Sequence, residues 1–207
     1  ALVGTLAGGL AHVQIIGSAF FAALSGSSPA TTAAIGSVLI PEMKKEGYPN
    51  EFSAAVQSIS GTIGTIIPPS IPMVVFGVVA GVSIGQMFAA GILPGILKAV
   101  GLMAYVGYRS KKEGFGTKVK REFSFEELWI SFKESILALL VPIIILGGIY
   151  SGIFTPTEAG AVAVFYGFFI GMFVYKELKF NMLGDILAEA ANTTVLVLLI
   201  VAASGAF

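Results

Sequence analysis

Long apolar stretches separated by short polar or charged segments make up most of this chain. The apolar runs cover residues 12–24, 52–82, 84–108, 135–152, 155–175 and 193–207. A helix needs about 20 apolar residues to cross a bilayer, so several of these runs are long enough to span it. The pattern therefore predicts an all-α polytopic membrane protein, with one further helix that follows a polar patch at residues 24–36 and ends near Glu46.

Composition supports this class. Of the 207 residues, 56% are hydrophobic and 12% are charged, and the mean hydropathy is +0.90. A soluble domain needs more charge than this to cover its surface. The net charge of zero argues against a nucleic-acid partner, and the absence of cysteine excludes thiolate metal sites and cysteine nucleophiles. Because His12 is the single histidine, the sequence predicts neither a transition-metal centre nor an enzyme that depends on one.

Basic residues predict how the chain is oriented in the bilayer. Lys44 and Lys45 lie in one connection, six further Lys and Arg residues lie between positions 109 and 121, and Lys176 and Lys179 lie in a third connection. The alternate connections, around positions 84 and 154, carry no Lys or Arg. All three clusters are therefore predicted on the cytoplasmic face.

Two capping boxes and one isolated lysine carry further predictions. Ser124 and Thr155 each precede an acidic residue by three positions, so helices are predicted to begin there. Glu158 is interpreted as a helix cap, with a role in the translocation path as the alternative. Lys98 lies inside an apolar run and is predicted to reach the headgroups, the alternative being contact with a carboxylate or a partner subunit.

Two polar, helix-breaking segments interrupt the apolar pattern. The first is LSGSSPATTAAIG at residues 24–36, and the second is GTIGTIIPPSIP at residues 61–72. Proline removes N–H donors and frees carbonyls one turn earlier. Inside hydrocarbon each unsatisfied backbone group costs several kcal/mol, so such backbone persists only where it is buried in protein or lines a cavity.

The two breaks offer complementary chemistry. Ser28 is predicted to cap a new helix that begins at Pro29, and the N-terminus of such a helix attracts anions. Ser25 and Gly26 offer oxygen atoms suited to a hard cation such as sodium, and so do the carbonyls freed at residues 62–67. Discontinuous helices of this kind form the binding sites of secondary transporters, so a site near mid-membrane is predicted. The alternative is that both breaks belong to kinked packing helices.

Three blocks of sequence, taken together, resemble a known family. They are GLAHVQIIGSAFFAALSGSSPATTAAIGSVLIPEMKKEGYP, GTIGTIIPPSIPMVVFGVVAGVSIGQMF and GIYSGIFTPTEAGAVAVFYGF. In order and spacing they are similar to the large membrane subunit of TRAP transporters, the tripartite ATP-independent periplasmic transporters of the DctM type. The resemblance runs through nearly the whole chain, which would then be the middle of a longer subunit.

The resemblance implies a function and its partners. It implies an elevator-type transporter with a re-entrant hairpin, which takes up an organic anion, a carboxylate or sugar acid, coupled to sodium. A periplasmic substrate-binding protein would deliver the anion, and a small membrane subunit would brace the large one. The location would be the cytoplasmic (inner) membrane of a bacterium or archaeon, where the chain crosses the lipid bilayer several times.

The resemblance also implies site residues and a division of the chain. The sodium site would be framed by Ser25, Gly26, Ser28, Gly61, Gly64, Thr65 and Ile67, and the substrate would meet Ser27, Ser28, Thr31 and Thr32. Residues 1–108 would hold the hairpin, the broken helix and the next helix, and residues 109–134 would be a basic cytoplasmic connection. Residues 135–207 would open a second, inverted repeat that is truncated here. The stretches that begin at Ala11 and at Ala191 support this, because each passes from polar residues through an apolar stretch to a Ser-Gly pair.

Three other functions are weighed against this one. The first is a sodium-coupled anion carrier that works without a binding protein, and the second is a membrane scaffold that transports nothing. The third is an intramembrane hydrolase that uses His12 and a serine. His12 and Ser25 are about 20 Å apart along a helix, too far for a hydrogen bond, so the hydrolase is disfavoured.

Overall fold

All regular structure in the described part of the chain is helical. The computed structural model describes residues 7–116 and 125–204. The helices there are α1 (Gly9–Ser25), α2 (Ser28–Lys45), α3 (Asn50–Gly61), α4 (Ile71–Ala80), α5 (Ile84–Glu113), α6 (Phe125–Tyr150), α7 (Pro156–Phe169) and α8 (Leu183–Ser204). Short 3-10 turns occur at Thr62–Thr65 and Phe180–Met182, and a π-helical turn, Ile170–Val174, extends α7. The predicted all-α class is confirmed for these residues.

Several helices have the length and composition of membrane spans. Among the described residues, three stretches are long and apolar enough to cross a bilayer: Ile84–Glu113, Pro156–Val174 and Phe180–Ala203. The helices Gly9–Ser25, Ile71–Ala80 and Ser135–Tyr150 are apolar but shorter. Most large apolar side chains of α5, α7 and α8 point outward, as expected of helices that face lipid or other membrane helices. The chain is therefore a multi-pass membrane protein.

Helices α1 and α2 form a hairpin that packs against α3. Gly26 ends α1 with a φ of 60°, a left-handed conformation that glycine adopts readily. Ser27 then caps α2, because its Oγ accepts the N–H of Ala30 at 3.4 Å and its carbonyl accepts the first intrahelical N–H, from Thr31. The cap predicted at Ser28 is thus one residue too late: Ser27 has the extended backbone of a cap, and Ser28 is already helical.

Aromatic packing brings the first two basic clusters to one end of the molecule. Tyr48, in the turn between α2 and α3, lies 6.3 Å from the ring of Phe52 and 5.6 Å from the ring of Phe115, just beyond α5. The last turn of α2 carries Lys44 and Lys45, and the last turn of α5 carries Lys111 and Lys112. These two clusters therefore share a face, as the sequence predicts.

The third basic cluster follows α7. A Cβ at Gly85, near the start of α5, would lie 3.4 Å from Ile149, so the start of α5 lies beside the end of α6. The Tyr166 hydroxyl donates to Leu137 O at 3.0 Å, and α7 runs back along α6. Lys176 and Lys179 therefore lie toward the other end of α6, away from the start of α5. Lys118, Lys120 and Arg121 lie outside the described residues.

One predicted helix start is confirmed. Thr155 and Glu158 form a capping box before α7, which confirms Glu158 as a cap. The start predicted at Ser124 lies outside the described residues, and α6 is helical from Phe125 onward. The last helix begins at Leu183, ten residues before the predicted Thr193. The intervening DILAEAAN segment consists largely of good helix formers without a breaker, so its acidic residues lower the hydropathy and do not interrupt the helix.

Candidate functional site

The tip of the α1–α2 hairpin touches the break between α3 and α4 through backbone atoms. The N–H of Ile71, the first residue of α4, donates to Gly26 O at 3.1 Å. A Cβ at Gly26 would lie only 2.6 Å from Pro69 O. The residue at the tip must therefore adopt a left-handed conformation and also lack a side chain, which only glycine satisfies. The two polar breaks of the sequence, some 40 residues apart, meet at one place.

A second close approach lies beside the first. A Cβ at Gly64 would lie 2.9 Å from the carbonyl oxygen of Ser27 and 3.0 Å from Thr31 Oγ1. A Cβ at Gly61 would collide with Thr32 Oγ1. Both glycines let the 3-10 turn lie directly on the hairpin, which is how small residues act in membrane helix contacts.

Hydroxyl groups line the inside of the tip. Thr31 Oγ1 donates to Ser27 O at 2.7 Å and lies 3.2 Å from Ser25 Oγ, which accepts the N–H of Ser27 at 3.3 Å. Ser28 Oγ is buried and has no hydrogen-bond partner among the described residues. Buried polar atoms without a partner are rare in proteins and call for an explanation, such as a bound ion. The tip therefore carries a cluster of oxygen atoms from Ser25, Ser27 and Thr31, and a further buried hydroxyl, that of Ser28, which lacks a partner among the described residues.

The structure brings together most, but not all, of the predicted site residues. Gly61 and Gly64 contact the hairpin, as described above. The Thr65 hydroxyl instead donates to Thr62 O at 2.9 Å, and the Thr65 carbonyl accepts from Ser70 Oγ at 2.8 Å. Ile67 packs against α5, where a Cβ at Gly95 would lie 2.6 Å from it. Sequence reasoning did not single out the Pro69 carbonyl, which reaches the tip directly.

A buried glutamine that the sequence analysis missed ties the hairpin to α3. Gln57 Nε2 lies 3.3 Å from both Thr31 O and Thr32 O on α2, and 3.5 Å from Ser18 Oγ on α1. A Cβ at Gly36 would lie 3.1 Å from Gln57 Cγ. One side chain of α3 thus contacts both arms of the hairpin. Its only signal in the sequence is an amide that precedes Gly61 by four residues and so shares its helix face.

The electrostatic character of the site comes from neutral oxygens, a helix terminus and one lysine. Within residues 7–116 and 125–204, no cluster of His, Asp or Glu could hold a metal ion. The N-terminus of α2 contributes partial positive charge at the tip. Lys98 Nζ donates to Thr62 Oγ1, so its side chain is directed at the break, a contact that the sequence analysis did not predict. The reason is that Lys98 lies on the face of α5 that packs against the break, one turn from buried Gly95.

His12 lies far from this site and has a structural role. Its ring nitrogen Nδ1 donates to Gly8 O at 2.9 Å, and the ring lies beside Gly107 of α5. Among the described residues no hydrogen bond joins His12 to a serine, and Ser25 lies at the other end of α1, in agreement with the distance argument from the sequence.

Comparison with known proteins gives a consistent result over the whole chain. Residues 1–207 match the family model described as "Tripartite ATP-independent periplasmic transporter, DctM component". The chain is 48% identical over its full length to the isethionate TRAP transporter permease protein DctMQ of Oleidesulfovibrio alaskensis, of which it covers 32%. It is 43% identical to the C4-dicarboxylate TRAP transporter large permease protein DctM of Pseudomonas aeruginosa over 98% of the chain and 47% of that protein.

A third relative has a different substrate in its name. The chain is 42% identical over 97% of its length to the sialic acid TRAP transporter large permease protein SiaM of Vibrio cholerae, of which it covers 46%. The chain thus spans from 32% to 47% of the length of these relatives. The relatives are transporter permeases and not enzymes, as the sequence predicts for this chain.

Proposed function

Because the chain belongs to the DctM family of tripartite ATP-independent periplasmic transporters, we propose that the full-length protein takes up an organic anion coupled to sodium. The observation that supports this proposal most strongly is the backbone contact between the hairpin tip and the broken helix, where the N–H of Ile71 donates to Gly26 O. In secondary transporters such breaks bind ions with freed carbonyls and anions with helix N-termini. The rest of the chain is consistent with this function.

Sodium is the co-transported ion in this proposal. Hard cations prefer oxygen ligands, and the tip supplies them from Ser25 Oγ, Gly26 O and the unpartnered Ser28 Oγ. The break adds Pro69 O and the backbone near Gly64. A ligand set of neutral oxygens without a carboxylate suits a monovalent cation. Moving one sodium inward through 100 mV releases about 2.3 kcal/mol, so two or more would drive an anion up a steep gradient.

The substrate would lie at the N-terminal end of α2. Its anionic group would face the helix terminus at Ser27 and Ser28, with Thr32 beside it. Thr31 supports this end from within, because its buried hydroxyl already donates to Ser27 O. A groove of about 420 Å³ between α2 and α3 begins at Thr32 and runs along α2 toward Pro41, and its lining combines Ser37, Gln57 and Ser58 with the apolar Ala33, Ile40 and Ala54. The anion would extend into this groove from Thr32.

Gln57 would hold the hairpin and α3 together as one rigid unit during the proposed elevator movement. Because it joins both hairpin arms to α3, the tip and the break would travel together, and the ion and the anion with them. The re-entrant hairpin would form the ion-facing part of this unit. The remaining parts of the proposal follow from the family: a small membrane subunit, a periplasmic binding protein and a location in the bacterial inner membrane. The name DctMQ of one longer relative fits fusion of the two membrane subunits.

The test is uptake by the full-length protein reconstituted in proteoliposomes with its small subunit and its binding protein. Isethionate, succinate and N-acetylneuraminate would be offered with and without an inward sodium gradient. We expect sodium-dependent uptake of one anion, and a raised half-saturating sodium concentration in Ser25→Ala. Ser151→Ala is the matched control, since that hydroxyl only donates to Gly148 O at the end of α6.

Three outcomes separate the alternatives. Sodium-dependent uptake that needs the binding protein supports the proposal. Sodium-dependent uptake without the binding protein identifies a simpler sodium-coupled carrier. Uptake of none of the anions, with or without sodium, refutes transport of these substrate classes and favours the scaffold.

A further inference from the structure

Lys98 places a positive charge in the middle of the membrane-spanning part of the protein. It lies near the centre of α5, a helix of 30 residues. At 1.5 Å per residue, Lys98 is about 21 Å along the helix from its start, and a similar distance from its end. A hydrocarbon core about 30 Å thick extends about 15 Å on each side of its centre, so a lysine at mid-helix is farther from the headgroups than its side chain reaches. A lysine at this depth costs several kcal/mol unless it has partners, and such residues usually serve a function.

The described residues around Lys98 satisfy only part of the hydrogen-bonding capacity of its ammonium group, and none of its charge. Its ammonium group carries three N–H donors, and one of them is donated to Thr62 Oγ1. The ion pairs found among the described residues, Lys45–Glu42 and Arg109–Glu113, lie at helix ends and do not involve it. A hydroxyl does not neutralise an ammonium group. The charge of Lys98 therefore has no carboxylate partner within the part of the chain that the structure describes.

The position of Lys98 connects it to the anion-binding end of the hairpin. Thr62, its partner, is exposed and belongs to the 3-10 turn of the break. The preceding residue, Gly61, contacts the Thr32 hydroxyl on the other side of that turn. The ammonium group thus bonds to the exposed residue that follows Gly61, and Gly61 is the residue that Thr32 contacts. The tip itself offers only partial charges.

We propose that the ammonium group of Lys98 binds an acidic group of the transported anion, and that Thr62 Oγ1 positions it to do so. This proposal rests on the proposed function and adds the full charge that the tip lacks. Lys98 then helps to determine specificity, because an anion must present a carboxylate or sulfonate within reach of α5 as well as of α2. A neutral substrate would leave the ammonium without its counter-charge.

The test uses substitutions and chemical restoration of the charge in the reconstituted full-length protein. Charge-assisted hydrogen bonds contribute more than neutral ones, so Lys98→Met is expected to raise the KM for the transported anion about tenfold or more, with a smaller change in kcat. Lys98→Arg keeps the charge and is expected to stay closer to wild type. Lys133→Met is the matched control, since Lys133 lies over the Trp129 ring, 5.5 Å from its centroid.

A cysteine at position 98 gives a sharper readout, because this sequence contains no cysteine. In a full-length protein otherwise free of cysteine, Lys98→Cys is expected to have a high KM. Reaction with aminoethyl methanethiosulfonate, which restores an ammonium group, is expected to lower the KM again, and the negatively charged sulfonatoethyl reagent is expected not to. The transported anion is also expected to slow the reaction of the introduced thiol with either reagent.

The outcomes distinguish this proposal from the proposed function. If the wild-type protein transports an anion with sodium but Lys98→Met changes only kcat or thermal stability, Lys98 is a tether between α5 and the break, and the proposal is overturned. The same holds if both reagents act alike and the anion gives no protection. If the wild-type protein transports none of the anions, the proposed function fails and this proposal fails with it.

Discussion

A methyl group at Gly64 tests the contact between the hairpin and the broken helix most directly. Gly64 does not have a left-handed φ, so its backbone conformation does not bar alanine. The new Cβ would lie 2.9 Å from the carbonyl carbon and oxygen of Ser27 and 3.0 Å from Thr31 Oγ1. Two of these three atoms belong to the backbone, which cannot turn away as a flexible side chain can.

The expected magnitude follows from that geometry. Carbon atoms pack best at about 3.5–4.0 Å, so the tip must retreat from the break by roughly 0.6–1 Å. Overpacking of this kind costs about 1–3 kcal/mol. If about 1.4 kcal/mol of that cost falls on the sodium-bound state, the half-saturating sodium concentration rises about tenfold. The effect comes from displacement of the tip, which carries Ser25 and Gly26.

The assay is sodium-dependent uptake in proteoliposomes, measured over a range of sodium concentrations for Gly64→Ala. Gly101→Ala is the control, because a Cβ at Gly101 of α5 meets open space. Thermal unfolding of both variants in detergent measures the folding cost separately. If Gly64→Ala has the sodium affinity of Gly101→Ala while it folds normally, the tip–break contact does not form the ion site, and the reasoning is wrong.

Three further predictions concern other contacts. Gln57→Leu removes the amide but keeps a side chain of similar size, and it is expected to lower stability by about 1–3 kcal/mol and to weaken sodium affinity. If only stability changes, the hydrogen bonds of Gln57 do not support the ion site. Glu158→Ala removes the N3 half of a capping box and is expected to lower the midpoint of thermal unfolding slightly without changing the KM, and a raised KM would instead place Glu158 in the translocation path. Burial, with a smaller contribution from Glu46, raises the pKa of Tyr48 to about 12 from an ordinary value of 10.0. The unfolded chain loses this proton first, so stability should fall between pH 10 and 12 in the wild type and less in Tyr48→Phe.

The two breaks could be predicted from the sequence because their residues act locally. Proline lacks the N–H that a helix needs, and Gly26 at the end of α1 permits a left-handed turn wherever it occurs. The capping box at Thr155 is likewise a local signal, and it marks the start of α7 correctly. The cap of α2 was misplaced by one residue because Ser27 and Ser28 are chemically equivalent caps, and only the backbone angles distinguish them.

The contacts between distant segments could not be predicted in the same way. Gln57 reads as one polar residue of an amphipathic helix, and nothing local shows that it reaches Thr31 and Thr32, some 25 residues away. Lys98 reads as a lysine that extends to the headgroups, since the sequence does not show which face of α5 meets the break. Both residues depend on how helices are rotated against each other, which packing of the whole unit determines.

In the proposed transporter, the glycines of the broken helix and the hairpin would connect ion binding to movement. Gln57 packs against Gly36, Thr32 packs against Gly61, and Ser27 packs against Gly64. Helix α2 and the segment of α3 and its 3-10 turn therefore lie in close contact over several turns. Surfaces in such contact cannot slide without losing many dispersion contacts and the amide hydrogen bonds at once. The tip and the break should therefore keep their relative positions whenever the unit moves. A sodium ion held between them would then be carried by the unit, and any change that separates the two surfaces should weaken ion binding before it slows movement.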